Sequence, residues 1–426
     1  MKILIKNCRV IDPANAIDGI QDIFIDKKKI VRIAEHLSLA ADRIIEGSGK
    51  IAIPGLVDMH VHLREPGRED KETIASGTSA ALKGGVTSIL VMPNTNPAID
   101  SPQSIQLLKN IIKNTAHSHV YISGAITKMR AGESLTDIPR MVREGVIAIT
   151  DDGASVDNPV LFSKAMKAAA HMNIPVICHC EDKKMSGGGV MNLSFTSTRL
   201  GLRGISRESE YTRVERDIKL AEKSGCRIHI AHVSCSESVD IIAHAKKRKI
   251  KITAETAPHY FSLDEEFVSA YDSNKKMNPP LREKHDVRAI RQGIKDGIID
   301  VISSDHAPHT ENEKSVEFDR AEFGVIGLET ELSVAITYLV IPGLIGWAEL
   351  VSLMAYNPSK ILGIDRGNLG VGKEADIVIL DPDKEWMVCK ETFISKSKNS
   401  AFLGQKLKGS VDYTIRGGEI VYANGI

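Results

Sequence analysis

Two histidines one residue apart, His60 and His62, close an apolar run that begins at Ile51. Alternate side chains of a β-strand share a face. Both imidazoles then point the same way from a strand end and can hold one metal ion. More ligand types stand at the ends of later β-branched runs: Asp151 and Asp152 after VIAIT, His179 after IPVIC, His232 after RIHIA, and Asp305 after DVISS. The chain has only 14 histidines, so this concentration points to a metal centre rather than to scattered core residues.

Period-2 alternation selects the facing side chains. It groups Ile177 with His179, Ile230 with His232, and Val301 with Ser303 and Asp305. Asp152 shares a face with Ala148 and Thr150, whereas Asp151 shares one with Ile147 and Ile149. Small residues suit a filled barrel interior, so Asp152 is favoured over Asp151, although strand ends can bulge. His60 and His62 suit one divalent ion, and His179 and His232 a second, with Asp152 bridging at about 3.5–4 Å between metals. Imidazole and carboxylate donors without cysteine favour Zn2+. Water between two such ions loses a proton near neutral pH. Asp305 is placed to take that proton and pass it to a leaving nitrogen. The expected chemistry is hydrolysis of an amide-like C–N bond.

Eight β-branched runs carry these ends: 56–62, 86–93, 119–126, 146–152, 174–180, 227–234, 250–258 and 300–308. Helical patterns separate them, among them Lys71–Lys83, Asn158–Met172, Glu208–Ser224 and Ser236–Arg248. Strands alternating with helices predict βα units and a parallel sheet. Eight units predict an α/β fold of the (β/α)8 TIM barrel class over residues 51–364, whose catalytic groups gather at the C-terminal strand ends. A doubly wound sheet is disfavoured, because HVHLREPG stands where a Gly-rich dinucleotide fingerprint would follow the first strand. Residues 1–50 and 365–426 hold short alternating strands with turn signals and too little apolar surface for separate cores. Together they predict one small β-sandwich domain built from both chain ends.

Composition limits the partners. Of 426 residues, 42% are hydrophobic and 26% charged, with 55 basic residues balancing 55 acidic ones. That balance offers no electrostatic reason to bind nucleic acid or an anionic membrane. No apolar run is long enough to span a bilayer, and the N-terminus does not read as a signal peptide. Six scattered cysteines suggest a reducing cytoplasm rather than a disulfide framework. Cys178 and Cys180 flank His179, point away from its face, and are read as small buried apolar residues.

Longer motifs carry a resemblance. PGLVDMHVHLREPG (54–67), the stretch 71–100 ending VMPNTNPAID, TDDG (150–153), HCED (179–182), TAETAPHY (253–260), MNPPLR (277–282), SSDHAPH (303–309) and FGVIGLET (323–330) resemble the dihydroorotases of the amidohydrolase superfamily, in their bacterial type I form. The resemblance implies two zinc ions, with His60 and His62 on one, His179 and His232 on the other, Asp152 bridging, and Asp305 as ligand and proton shuttle. It implies that Arg64, Asn94, Asn278 and His309 bind substrate, with the backbone of Phe323 and Gly324 against a pyrimidine ring. The reaction implied is the reversible cyclisation of N-carbamoyl-L-aspartate to (S)-dihydroorotate in pyrimidine biosynthesis. A homodimer and association with aspartate carbamoyltransferase are further expectations from family behaviour.

The residues agree with such a substrate. A planar guanidinium at Arg64 suits a carboxylate, and Asn94 and Asn278 can each donate and accept. His259 and His306 read as supporting residues rather than ligands. The charged segment 310–322, beside His309, reads as solvated surface and as a candidate lid. VIAITDDG lacks the lysine with which many cyclic amidohydrolases bridge their metals, which disfavours hydantoinase and allantoinase. A non-catalytic scaffold is disfavoured because all four histidines and Asp305 are present.

Overall fold

The structure, a computed structural model, describes residues 1–424. Eight parallel strands follow one another around a barrel: β1 (Leu56–Val61), β2 (Val86–Val91), β3 (His119–Gly124), β4 (Val146–Ile149), β5 (Val176–Cys178), β6 (Ile228–Ile230), β7 (Ile252–Thr256) and β8 (Val301–Ile302). Each pairs with the next in the chain. The ring closes just past β8, where the His62 N–H donates to the His306 carbonyl at 2.9 Å. Most strands are shorter than their apolar runs suggest, because the last residues of each run leave the ladder to face the barrel mouth.

The alternation inside the strands explains the two apolar layers. Val57, Met59, Leu90, Ala148, Ile177, Ala231 and Val301 fill the barrel. Leu56, Ile89, Ile149, Val176, Ile228 and Ile302 face outward onto helix residues such as Ile74, Phe162, Val214 and Ile242. The predicted helices are present as Ile74–Lys83, Pro159–His171, Glu208–Ser224 and Ser236–Lys247. The first starts later than its pattern because Thr73 caps it, accepting from the Ser76 N–H at 3.1 Å.

Both chain ends build a second, eight-stranded sheet. Its order is Glu419–Ala423, Lys406–Arg416, Ile377–Met387, Ile51–Pro54, Lys2–Asp12, Ile17–Asp26 and Lys29–Ala34, with Arg43–Glu46 also paired to Lys2–Asp12. Ile377 and Ile379 join Ile3, Ile5, Ile23 and Ile25 in a core shared by the two ends. Val378 and Leu380, one residue out of phase, pack with the barrel's outer layer instead. The tail segments that look separate in sequence, 375–381 and 385–389, are one strand with an irregularity between Asp381 and Glu385. Pro382 lies in that gap and has no N–H for the ladder.

The apolar run 51–57 is two strands rather than one. Ile51–Pro54 pairs with Lys2–Asp12 and Ile377–Met387, so the terminal sheet extends beyond residue 50. Gly55 then crosses to β1, its N–H donating to Asp376 O at 2.9 Å. A Cβ at Gly55 would collide with the Thr87 side chain, so the close approach requires glycine. Among the described residues no helix is long and apolar enough to cross a membrane.

Candidate metal centre and active site

The histidine pair reaches the barrel mouth through an irregularity. β1 runs three residues from Asp58 to Val61 while its partner β2 runs two, from Ile89 to Val91. The extra residue reverses the phase of alternation. Met59 packs in the barrel interior, and the adjacent His60 also faces inward, over that layer. The irregularity is braced by Asp58, which accepts from the His60 N–H at 2.9 Å and the Ser304 N–H at 3.1 Å, tying β1 to the end of β8.

Parity also fails at β6. Ile230 packs in the outer layer and Ala231 in the interior, so Ile230 and His232 do not share a face as alternation predicts. His232 is turned into the mouth by a positive φ of 37°. Asp305 has φ 48°, Arg64 62° and Arg130 57°. Such backbone is costly for residues with a Cβ and gathers where the surrounding structure holds a site in place.

These turns bring the predicted ligands together. His60 Nε2 lies 3.3 Å from Asp152 Oδ1 and 3.6 Å from Asp305 Oδ1. His62 Nε2 lies 3.4 Å from Asp152 Oδ2 and 3.3 Å from Asp305 Oδ1. From the other side, His179 Nδ1 and His232 Nε2 approach Asp152 Oδ1 at 3.5 and 3.6 Å, and each other at 2.9 Å. Asp152 is thus the carboxylate common to all four imidazoles. Ligand atoms of His60, His62 and Asp305 form one compact group, and those of His60, Asp152 and His232 another, so His60 borders both.

Asp151 has a different task. It accepts from the backbone N–H groups of Ile126 and Thr127 at 2.8 and 3.1 Å and from the Thr127 hydroxyl. It braces the loop after β3 and leaves Asp152 to the mouth.

The donor set fits a divalent cation. His60 Nε2 and Asp152 Oδ1 are buried and have no hydrogen-bond partner; their lone pairs converge instead of pairing, as for ligands of a common ion. The electrostatics agree. Burial pulls the His60 pKa down, but Asp152, Glu255 and Asp305 outweigh it and raise it well above the usual value. His179 rises to about 9, against burial, through Asp152 and Glu181. Asp152 falls well below the carboxylate range because the histidines outweigh its burial. Excess negative charge in a dry pocket holds protons where a cation would otherwise sit.

Two glutamates that sequence reasoning missed lie behind the candidate ligands. Glu255 Oε1 is 2.5 Å from His60 Nδ1, and its other oxygen is 3.2 Å from His229 Nε2. Glu181 Oε2 is 3.2 Å from His179 Nε2 and accepts from Asn278 Nδ2 at the same distance. Each fixes which ring nitrogen faces the centre. The available signal was an acidic residue inside or just beyond a β-branched run, as Glu255 is in KITAET.

Over the centre opens a cavity of about 390 Å³, lined by Arg64, Asn94, Asn278, His309, Phe323 and Gly324 among others. Asn94 Oδ1 is 2.8 Å from His62 Nδ1. Arg64 donates through Nε to Pro308 O at 3.1 Å and places Nη2 3.3 Å from His309 Nε2. His309 Nε2 also lies 2.8 Å from Phe323 O, while Lys71 Nζ is 3.0 Å from its Nδ1. Burial, Arg64 and Lys71 keep His309 neutral, its pKa pushed down to about 2. Arg130, missed in the sequence, also lines the cavity and donates to the Asp152 carbonyl.

His306 supports the mouth, accepting at Nδ1 from the Gly327 N–H at 3.2 Å, and His259 is buried beside Tyr260. The segment 310–322 is folded down beside His309. Lys314 is buried and donates to the carbonyls of Lys276, Glu322 and Gly324. All six cysteines are free, five of them buried.

Comparison with known proteins gives the same picture. A family model described as "Dihydro-orotase-like" matches residues 49–238, and one described as "Amidohydrolase family" matches residues 284–422. A curated dihydroorotase of Elusimicrobium minutum is 51% identical over 425 residues, covering 100% of this chain and 98% of that protein. One from Pelotomaculum thermopropionicum is 47% identical, covering 99% and 98%. Among solved structures, an L-hydantoinase (dihydropyrimidinase) from Arthrobacter aurescens superposes with a TM-score of 0.91 at 24% identity, covering 100% of this chain and 96% of that one. That likeness carries the fold alone. Identity near one half along the whole length decides the family: this chain belongs to the dihydroorotases of the amidohydrolase family.

Proposed function

We propose that this protein is a dihydroorotase that interconverts (S)-dihydroorotate and N-carbamoyl-L-aspartate, the cyclisation step of pyrimidine biosynthesis, by opening and closing a cyclic amide. One observation carries the reading: an Asp152 carboxylate shared by four imidazoles lies beneath a cavity with Arg64 and two asparagines on its wall, in a chain of the dihydroorotase family. We assign a bacterial type I enzyme in which His60, His62, Asp152, His179, His232 and Asp305 would hold two zinc ions, with Asp152 the carboxylate common to both. When bound, zinc supplies Lewis acidity at a carbonyl and lowers the pKa of water.

The chain's own groups account for the rest. Asp305 is ionised at neutral pH, its carboxyl held low by His60 and His62 against burial. Its carboxylate takes the proton of the attacking water and returns it to the ring nitrogen as the C–N bond breaks. Arg64 has its Nη1 hydrogens left for the substrate carboxylate. Asn94 spends its oxygen on His62 and presents Nδ2, whereas Asn278 spends Nδ2 on Glu181 and presents its oxygen. One donor and one acceptor suit a ring that carries both C=O and N–H. His309 and the Phe323–Gly324 backbone complete the wall.

The two ends, residues 1–50 with the strand Ile51–Pro54 and residues 365–426, are assigned to one composite domain beside the barrel, on the strength of their shared apolar core. A cytoplasmic homodimer that associates with aspartate carbamoyltransferase is the assembly in keeping with this reading. The direct test offers dihydroorotate, allantoin and hydantoin to the purified protein before and after chelation, with elemental analysis. Turnover of dihydroorotate alone, lost on chelation and restored by zinc, is expected. Preferred turnover of hydantoin or allantoin, or activity indifferent to chelation, would overturn it.

A further inference from the structure

Between strands Ile377–Met387 and Lys406–Arg416 the chain leaves the terminal sheet in an excursion, residues 388–405. Its neck is closed by two backbone bonds, Val388 N–H to Gln405 O at 3.0 Å and Gly404 N–H to Val388 O at 2.9 Å. It is not a loose loop. Ser395, Ser397, Asn399, Ser400 and Phe402 are all buried. It packs beside the barrel mouth and is bonded to the barrel at several places, two of which lead to the pocket.

The first place is Glu72. Its Oε2 accepts from the Ser395 hydroxyl, and its Oε1 accepts from the Lys396 N–H at 3.1 Å. The second is Asn399, which is 5% exposed. Its Oδ1 accepts from the His309 N–H at 3.2 Å, and its Nδ2 donates to the Gly324 carbonyl at 3.1 Å. Its own carbonyl accepts from the Ile326 N–H at 3.1 Å. One side-chain amide therefore ties together two neighbouring stretches of backbone that line the cavity. The amide supplies the acceptor and the donor on two separate atoms. His309 and Phe323 also meet directly, through Nε2 and a carbonyl oxygen 2.8 Å apart. The amide thus sets the spacing of a pair already in contact.

We propose that Asn399 is a positioning residue of the substrate pocket: supplied by the C-terminal excursion, it holds the His309 and Gly324 segments at the separation the substrate needs. The terminal domain then contributes to the active site from outside the barrel. This rests on the proposed reading of His309 and Gly324 as pocket wall.

The test uses the full-length, metal-loaded enzyme and steady-state kinetics with dihydroorotate. Asn399→Asp keeps the shape and the acceptor but cannot donate to Gly324 O, and Asn399→Ala loses both bonds. Each is expected to raise KM about tenfold, the scale of one buried hydrogen bond lost. The kcat stays within about threefold, as for lost ground-state binding, with metal content unchanged. Ser400→Ala is the control. Ser400 is buried in the same excursion, and among the described residues its hydroxyl accepts only the local Phe402 N–H, at 3.2 Å. It is expected to lower Tm while leaving KM alone.

A folded Asn399→Asp enzyme with wild-type KM would overturn the inference, as would a Ser400→Ala enzyme whose KM rises equally. His309→Ala separates the two levels. If it raises KM while Asn399→Asp does not, Asn399 alone is misassigned. If neither variant moves KM, the reading of the pocket itself fails.

Discussion

His60 and Glu255 meet at 2.5 Å, Nδ1 to Oε1, with both side chains about 1% exposed. This contact fixes the imidazole with Nε2 toward Asp152 and Asp305, and it joins a strand-one residue to strand seven across the barrel. Glu255 is held ionised, because His60 and His229 outweigh its burial. Glu255→Gln keeps the shape but removes the charge. Metal affinity is expected to fall about 10- to 100-fold, as for other carboxylates behind a ligating histidine. Competition with a chelator of known strength measures it; unchanged affinity would contradict the role.

Asp305 is expected to separate chemistry from structure. Asp305→Ala should lower kcat by about 10²- to 10⁴-fold, the usual contribution of a positioned proton carrier. His60, His62 and Asp152 remain to hold metal. Single-turnover kinetics with elemental analysis checks this, and wild-type kcat in the variant would remove Asp305 from the proton path.

The neighbouring aspartates should behave as opposites. Asp151→Ala strands two backbone N–H groups and the Thr127 hydroxyl, at a cost of about 1–3 kcal/mol. It is expected to lower Tm with metal retained. Asp152→Ala is expected to lose metal, because four imidazoles lose their common carboxylate. Paired melting and metal analysis decide between them, and an exchange of phenotypes would mean that the bridge was assigned to the wrong residue.

Lys314 provides a pH signature away from the metal centre. Burial and the nearby Lys276 lower its pKa from 10.5 to about 7. Between those values the unfolded chain binds the proton and the folded one does not. Stability therefore rises with pH through that window. Wild type is expected to gain on Lys314→Met as pH rises from 7 toward 10, read from denaturant midpoints at each pH. A difference that stays flat or shrinks would show that Lys314 keeps its proton.

Much of the barrel was legible because strand and helix periods are local. The runs at 86–93 and 250–258 announce strands through β-branched residues, and Glu208–Ser224 announces a helix that ends at Gly225, where φ is 67°. The facing rule was less secure. It worked at His179, which continues the inward phase of Ile177, and failed at His232, where a positive φ reverses the phase.

The types of the candidate ligands, their places at strand ends and the family they signal are properties of the linear chain, because ligand chemistry and strand periodicity are read within a few neighbours. The folded molecule alone decided which imidazole nitrogen faces the centre, that Asp151 braces a loop while Asp152 enters the mouth, and that Asn399 reaches His309 from another sheet. Those outcomes depend on a strand irregularity, on left-handed backbone at strand ends and on partners far apart in sequence. No local pattern of side chains encodes them.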